Sequence, residues 1–162
     1  MAQGKEHHYA VKTVWTGAEQ GPARDYRSYS RAYRFDIAGK PPIDGSADPA
    51  FRGDPARHNP EDLLVASLSA CHMLWYLHLC TVKGVTVIAY EDDAQGTMVA
   101  EPHNGRFTEV VLRPVVTITP DSDADTAESL HEPAHAECFV ANSVNFPVRC
   151  EAKIVKAEVP AA

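Results

Sequence analysis

At 162 residues, with 44% hydrophobic and 23% charged residues, the chain has the size and composition of one globular domain that can bury a core without disulfide or metal staples. A net charge of −7 and a pI near 5.5 leave no basic stripe to neutralise nucleic-acid phosphates, so nucleic acid is not an expected partner. The longest apolar stretch, Leu63 to Leu79, is interrupted by Ser67, Ser69, His72 and His78, so no membrane span is expected.

The N-terminal MAQGKEHHYAV has neither an apolar core nor a small-residue cleavage site, which points to a cytoplasmic setting. Four cysteines in that compartment are expected to be mostly thiols, with any disulfide transient, catalytic or sensing. One domain spanning residues 1–162 is expected. In chain order, Tyr9 to Trp15 reads as a strand, Gly17 to Pro22 as a turn, and Tyr26 to Ile37 as the returning strand. Alternation puts Tyr29, Arg31, Tyr33, Phe35 and Ile37 on one face, so Arg31 is expected to point where the apolar residues point. Gly39 to His58 reads as a long irregular loop.

Asn59-Pro60-Glu61-Asp62 is a helix start: Asn caps, Pro suits the first turn, and Asp62 stands where a capping-box carboxylate reaches back. The helix should run to Lys83 and stop at Gly84, and its nearly all-round apolar surface predicts burial on several sides. Val85–Tyr90 and Gly96–Val99 read as a hairpin around Glu91-Asp92-Asp93. Phe107–Thr119 reads as one strand in which Pro114 favours an edge or bulge. A second helix is expected from about Asp121–Asp125 to Asn142, kinked or split by Pro133, and Phe146–Val159 closes as a strand. Strands, helix, strands, helix, strand without βαβ alternation predicts an α+β fold.

Cys71 falls inside the core helix among Leu68, Met73, Leu74 and Trp75, where a cysteine is ordinarily an inert small hydrophobe. Cys80 is nine positions later and therefore on the opposite face, out of reach of Cys71. Cys150, on the last strand, has no recognisable polar company and reads as core. Cys138 shares a helix face with His131 and His135 at i, i+4 and i+7. That face allows two readings, a zinc site completed by Cys71, or a thiol whose partner is Cys71 with the histidines in support.

Taken together, NPEDLLVASLSACHMLWYL and HAECFVANSV, whose Cys138 lies 67 residues beyond Cys71, resemble the OsmC/Ohr family of organic hydroperoxide reductases, and the likeness extends from Trp15-Thr16-Gly17 to Phe146-Pro147-Val148. The resemblance implies antiparallel sheets around a long central helix in an intertwined homodimer with active sites at the subunit interface. It also implies a two-cysteine peroxidase: Cys71 attacks a hydroperoxide, Cys138 resolves the sulfenic acid as a Cys71–Cys138 disulfide, and Glu61 steadies an activating arginine. That arginine is expected to be Arg31, in the Tyr29-Ser30-Arg31 element, with Arg24 the second choice. Glu61 also reads simply as a favourable charge at a helix N-terminus. The implied partners are an organic hydroperoxide and a dithiol reductant such as a lipoylated protein; no cofactor or metal is expected. A non-catalytic thiol redox sensor or small-ligand-binding protein of the same fold is the alternative.

Overall fold

The computed structural model describes residues 4–100 and 105–158, which leaves Val159, the expected end of the last strand, and Met1–Gln3 outside the described residues. The chain forms two compact units that divide after Leu63. In the first, β1 (Lys12–Val14), β2 (Tyr33–Asp36) and β3 (Ile43–Gly45) form an antiparallel sheet in that order. Thr13 pairs with Phe35, and Tyr33 with Gly45. Gly45 is required there, because a Cβ would lie 2.3 Å from the Tyr33 ring.

Both expected strands of the first hairpin are shorter than their patterns. Residues 24–28 fold on themselves: the Ser28 hydroxyl accepts from the Arg24 and Asp25 amides and the Asp25 carboxylate accepts from the Arg27 amide, at 3.3, 3.1 and 2.8 Å. Such side-chain bonds compete with a sheet ladder for the backbone. The Trp15 indole donates to the Ser30 carbonyl at 2.7 Å, and a 3-10 turn, Thr16–Gln20, follows. Arg31 therefore lies on no strand. The expected long loop 39–58 contains β3 and a 3-10 turn, Pro49–Phe51, started by the Asp48 carboxylate.

Helix α1 spans Pro60–Lys83. Its start is the expected capping box: Asn59 Oδ1 accepts from the Asp62 amide at 2.7 Å and the Asp62 carboxylate accepts from the Asn59 amide at 3.4 Å. A cap of this kind stabilises a helix by about 1 kcal/mol. Gly84 ends it at φ +74°, a left-handed conformation that glycine adopts without strain.

The second unit holds two three-stranded sheets that meet at a bend in the chain. Strands β4 (Val87–Asp92), β7 (Pro114–Ile118) and β9 (Lys153–Lys156) form one sheet, and β5 (Gln95–Val99), β6 (Arg106–Leu112) and β8 (Val148–Cys150) another. The expected 85–99 hairpin is thus a correction: β4 and β5 follow each other in sequence but pair with β7 and β6, in different sheets. The expected single strands 107–119 and 146–159 break at the same corner. Arg113 is the turning residue, since Pro114 has no N–H for a ladder and the Arg113 amide donates instead to the Asp92 carboxylate at 2.7 Å. Asp92 also accepts from the Ser69 hydroxyl of α1 at 2.5 Å, and Arg113 Nε reaches Glu151 at 3.1 Å, so all three chain passes are tied at the bend. Pairings β6–β8 and β7–β9 are parallel, made by a crossover through the helical segment.

That segment splits into α2 (Ala124–Ser129) and α3 (His131–Glu137). Pro133 lacks the N–H that would bond Ser129, the residue at which α2 ends. Helix α3 stops at Glu137, short of the expected Asn142, and Cys138 is its C-cap in extended conformation. A 3-10 turn, Ala141–Ser143, comes next.

Within the chain α1 buries one stripe, Leu68, His72, Tyr76 and Cys80 at i, i+4, i+8 and i+12, rather than several sides. Leu68 packs with Val110 and Leu112 under the β6 half of the sheet. Tyr76 and Cys80 pack with Val116, Ile118, Ala127, Leu130 and Ala134 under the β7 half. Leu74 and Val82, on the other side of the helix, are each 63% exposed, and so is Phe139 (69%) beyond α3. By length and mean hydropathy, 1.5 over 18 residues, α1 alone among the described helices could cross a membrane, yet its buried stripe packs against this sheet.

Candidate active site

Unit two brings Cys71 and Cys138 together. Cys71 is partly exposed on α1 and Cys138 is 1% exposed, and the two lie near enough for Cys71 to act on the Cys138 thiol. Burial first, and then the neighbouring Cys71 side chain, push the Cys138 thiol up to about 11. Its sulfur accepts from the Ala141 amide at 3.4 Å. Cys80 lies apart, buried against Tyr76 in the β7-side core, and burial pushes its thiol up. Trp75 lies edge-on to Phe139 at 5.5 Å beside this pair in sequence.

Unit one places Arg31 and Glu61 around one cavity of about 250 Å3, with Trp15, Tyr29, Tyr33 and Phe51. Arg31 is held by its own loop. Its guanidinium donates to the Tyr29 carbonyl at 2.5 Å and to the Tyr26 carbonyl, and lies over the Tyr29 and Tyr26 rings at 3.8 and 4.8 Å. Among the described residues no ion pair joins Arg31 to Glu61, and Glu61 Oε2 is buried without a hydrogen-bond partner. Arg31 also borders a neighbouring cavity of about 400 Å3 with Arg27, Arg52 and Arg57, whereas Arg24 lines neither.

The histidine expectation needs correction. His131 does not join His135 and Cys138 in a ligand group; it turns inward to His72 and Cys150. His72 Nε2 and His131 Nδ1 are 3.0 Å apart, and Cys150 Sγ lies 3.6 and 3.7 Å from them. His131 also stacks on Tyr76, with ring centroids at 3.9 Å. Cys150, read as plain core from the sequence, therefore has polar company, drawn from 78 and 19 residues away. The readable signal was the i, i+4 stripe Leu68-His72-Tyr76-Cys80, which turns His72 inward.

Burial pushes both imidazoles down from 6.5 to about 4, His135 adding to the effect at His72 and His72 to that at His131. In reduced, chelator-treated protein the unfolded chain binds more protons than the native one between about pH 4 and 6.5, so stability should rise with pH there. Above pH 9 the sign reverses, because burial holds Cys138 to about 11 and Cys150 to about 12, so the native state keeps protons that the unfolded chain releases. Thermal midpoints are expected to plateau between pH 6.5 and 9 and fall on both sides. A flat profile from pH 4 to 6.5 would contradict the neutral buried pair.

The model of the OsmC-like protein family matches residues 53–153. The chain belongs to the OsmC-like family. The match takes in Glu61, strands β4 to β8 and all four cysteines, but not Arg31. An OsmC-like protein of unknown function from Vibrio cholerae is 31% identical, with TM-score 0.83 over 91% of this chain and 99% of that one. Two organic hydroperoxide resistance proteins share the fold. That of Legionella pneumophila is 18% identical with TM-score 0.65, covering 93% of this chain and 98% of its own. That of Elizabethkingia anophelis, solved with thiocyanate bound, is 17% identical with TM-score 0.66, covering 94% and 100%. No curated protein matches the chain. The OsmC-like fold is thus an α+β fold in which the central helix carries Cys71 and the α3 C-cap carries Cys138.

Proposed function

We propose that this OsmC-like chain reduces organic hydroperoxides with the Cys71–Cys138 pair, as the single domain 1–162. The observation that carries the reading is a partly exposed helix thiol, Cys71, beside a buried one, Cys138, that burial and the neighbouring Cys71 hold protonated. The Cys71 thiolate attacks one oxygen of the O–O bond; the other oxygen leaves with a proton as the alcohol. The sulfenic acid on Cys71 is attacked by Cys138, water departs, and a disulfide remains. One hydroperoxide is reduced by two electrons, and a dithiol such as a lipoylated protein returns them.

Arg31 supplies the positive charge that favours the Cys71 thiolate, and Glu61 the carboxylate that positions it. Both side chains face one cavity, and Glu61 has a buried oxygen without a partner among the described residues. The reading includes a cytoplasmic homodimer in which the exposed apolar residues Leu74, Val82 and Phe139 are covered. A redox sensor using the same thiols is the second reading, favoured if turnover is absent.

Reduced protein treated with one equivalent of cumene hydroperoxide is expected to yield a Cys71–Cys138 cross-linked peptide pair by mass spectrometry. Both thiols free under excess peroxide, or a bond to Cys80 or Cys150, would sink the assignment.

A further inference from the structure

Besides the thiol pair, the fold builds a second cluster of ligand-type atoms. His72 on α1, His131 on α3 and Cys150 on β8 converge at the bend of the sheet, and the two histidines are 1% and 6% exposed. We propose that His72 Nε2, His131 Nδ1 and Cys150 Sγ form a binding site for a thiophilic divalent cation of the zinc type.

Geometry carries the inference. A tetrahedral zinc with metal–nitrogen bonds of about 2.0–2.1 Å and a metal–sulfur bond of about 2.3 Å has ligand edges of about 3.3 Å for N···N and about 3.6 Å for N···S. The corresponding separations here are 3.0, 3.6 and 3.7 Å. Three elements far apart in sequence thus hold a nitrogen, nitrogen and sulfur face of such a tetrahedron with displacements of a few tenths of an ångström. Two imidazoles and a thiolate also suit zinc over magnesium or calcium, which take oxygen ligands.

Charge agrees with the geometry. On binding, Cys150 releases its proton to solvent, and a divalent ion with one thiolate leaves a single positive charge in the core. Asp92 offsets it, since its charge is felt at both His72 and Cys150 while its oxygens are fixed by Ser69 and the Arg113 amide. The fourth position falls to water. Tyr90 has a buried hydroxyl without a partner among the described residues, and the Cys150 charge acts on it. The ion would tie α1, α3 and β8 across the junction of the two core clusters.

The test uses cobalt as a spectroscopic stand-in, on reduced, chelator-treated full-length protein under nitrogen. One equivalent of Co2+ is expected to give red ligand-field bands and a near-ultraviolet thiolate-to-cobalt band, both removed by equimolar Zn2+. The Cys71→Ser/Cys138→Ser protein should keep these bands, and Cys150→Ala should lose the thiolate band. Absence of that band in the wild type overturns the proposal whatever the variants do, as does its survival in Cys150→Ala. Its loss in Cys71→Ser/Cys138→Ser would place the ion at the His131, His135, Cys138 face instead and equally overturns it. His72→Gln, checked for native circular dichroism, gives a second loss should Cys150→Ala fail to fold. The peroxidase reading stands or falls separately, because none of these readouts involves peroxide.

Discussion

Cys71→Ser is expected to lower the rate of hydroperoxide reduction by about three orders of magnitude or more, the scale on which loss of a nucleophile is felt. Cys138→Ser should behave differently. Its first turnover survives, because attack on the O–O bond requires only Cys71, but Cys71 then stops as a sulfenic acid that dimedone traps and excess peroxide drives to the sulfinic acid. The first step should slow by less than about tenfold, since Cys138 only neighbours the attacking sulfur in that step, and loss of one polar neighbour is worth about 0.5–1.5 kcal/mol. Stopped-flow thiol loss on reduced protein separates the two. Wild-type reaction no faster than a free thiol would leave the sensor reading, and equal arrest in both variants would remove the division of labour between the cysteines.

Tyr76→Ala is expected to destabilise the fold by about 3–5 kcal/mol, among the largest effects of any single truncation. Tyr76 is fully buried, lies in the core cluster under β7, stacks on His131 and donates its hydroxyl to the Ala127 carbonyl at 3.0 Å. It therefore fastens α1 to both α2 and α3. Tyr76→Phe removes only the hydroxyl and leaves the Ala127 carbonyl with one acceptor site unfilled, so its cost should be about 0.5–1.5 kcal/mol. Urea midpoints at constant m-value measure both. A Phe variant as unstable as the Ala variant would show that the hydrogen bond, not the packed ring, is what holds this joint.

The ends of α1 were legible because their determinants are local. Asn59, Asp62 and Gly84 act within a turn of their own positions. The corner of the second unit was legible only in part: Pro114 marked an irregularity in residues 107–119, but the Asp92 carboxylate that takes the Arg113 amide lies 21 residues upstream. The break of the second helix was anticipated at Pro133 and falls four residues earlier, where the missing bond would have ended. Residues 26–32 misled the period count, since short hydroxyl and carboxylate side chains took the backbone bonds that a strand requires. At the site, spacing and family likeness named Cys71 and Cys138, while the partnership of His72, His131 and Cys150 spans separations of 59 and 78 residues and has no local signature.

The two thiols stand on supports of unequal compliance. Cys71 is mid-helix, on an element 24 residues long whose buried stripe is locked into two core clusters, so its Cα is a fixed anvil. Cys138 is the C-cap just beyond a seven-residue helix, in extended conformation, where the chain passes into a 3-10 turn bound by the Asn142 amide on the Cys138 carbonyl at 3.0 Å. Any covalent bond between them must draw its slack from residues 138–143. In the proposed reaction the elastic side is thus the Cys138 arm, and the Cys71 arm keeps its aim.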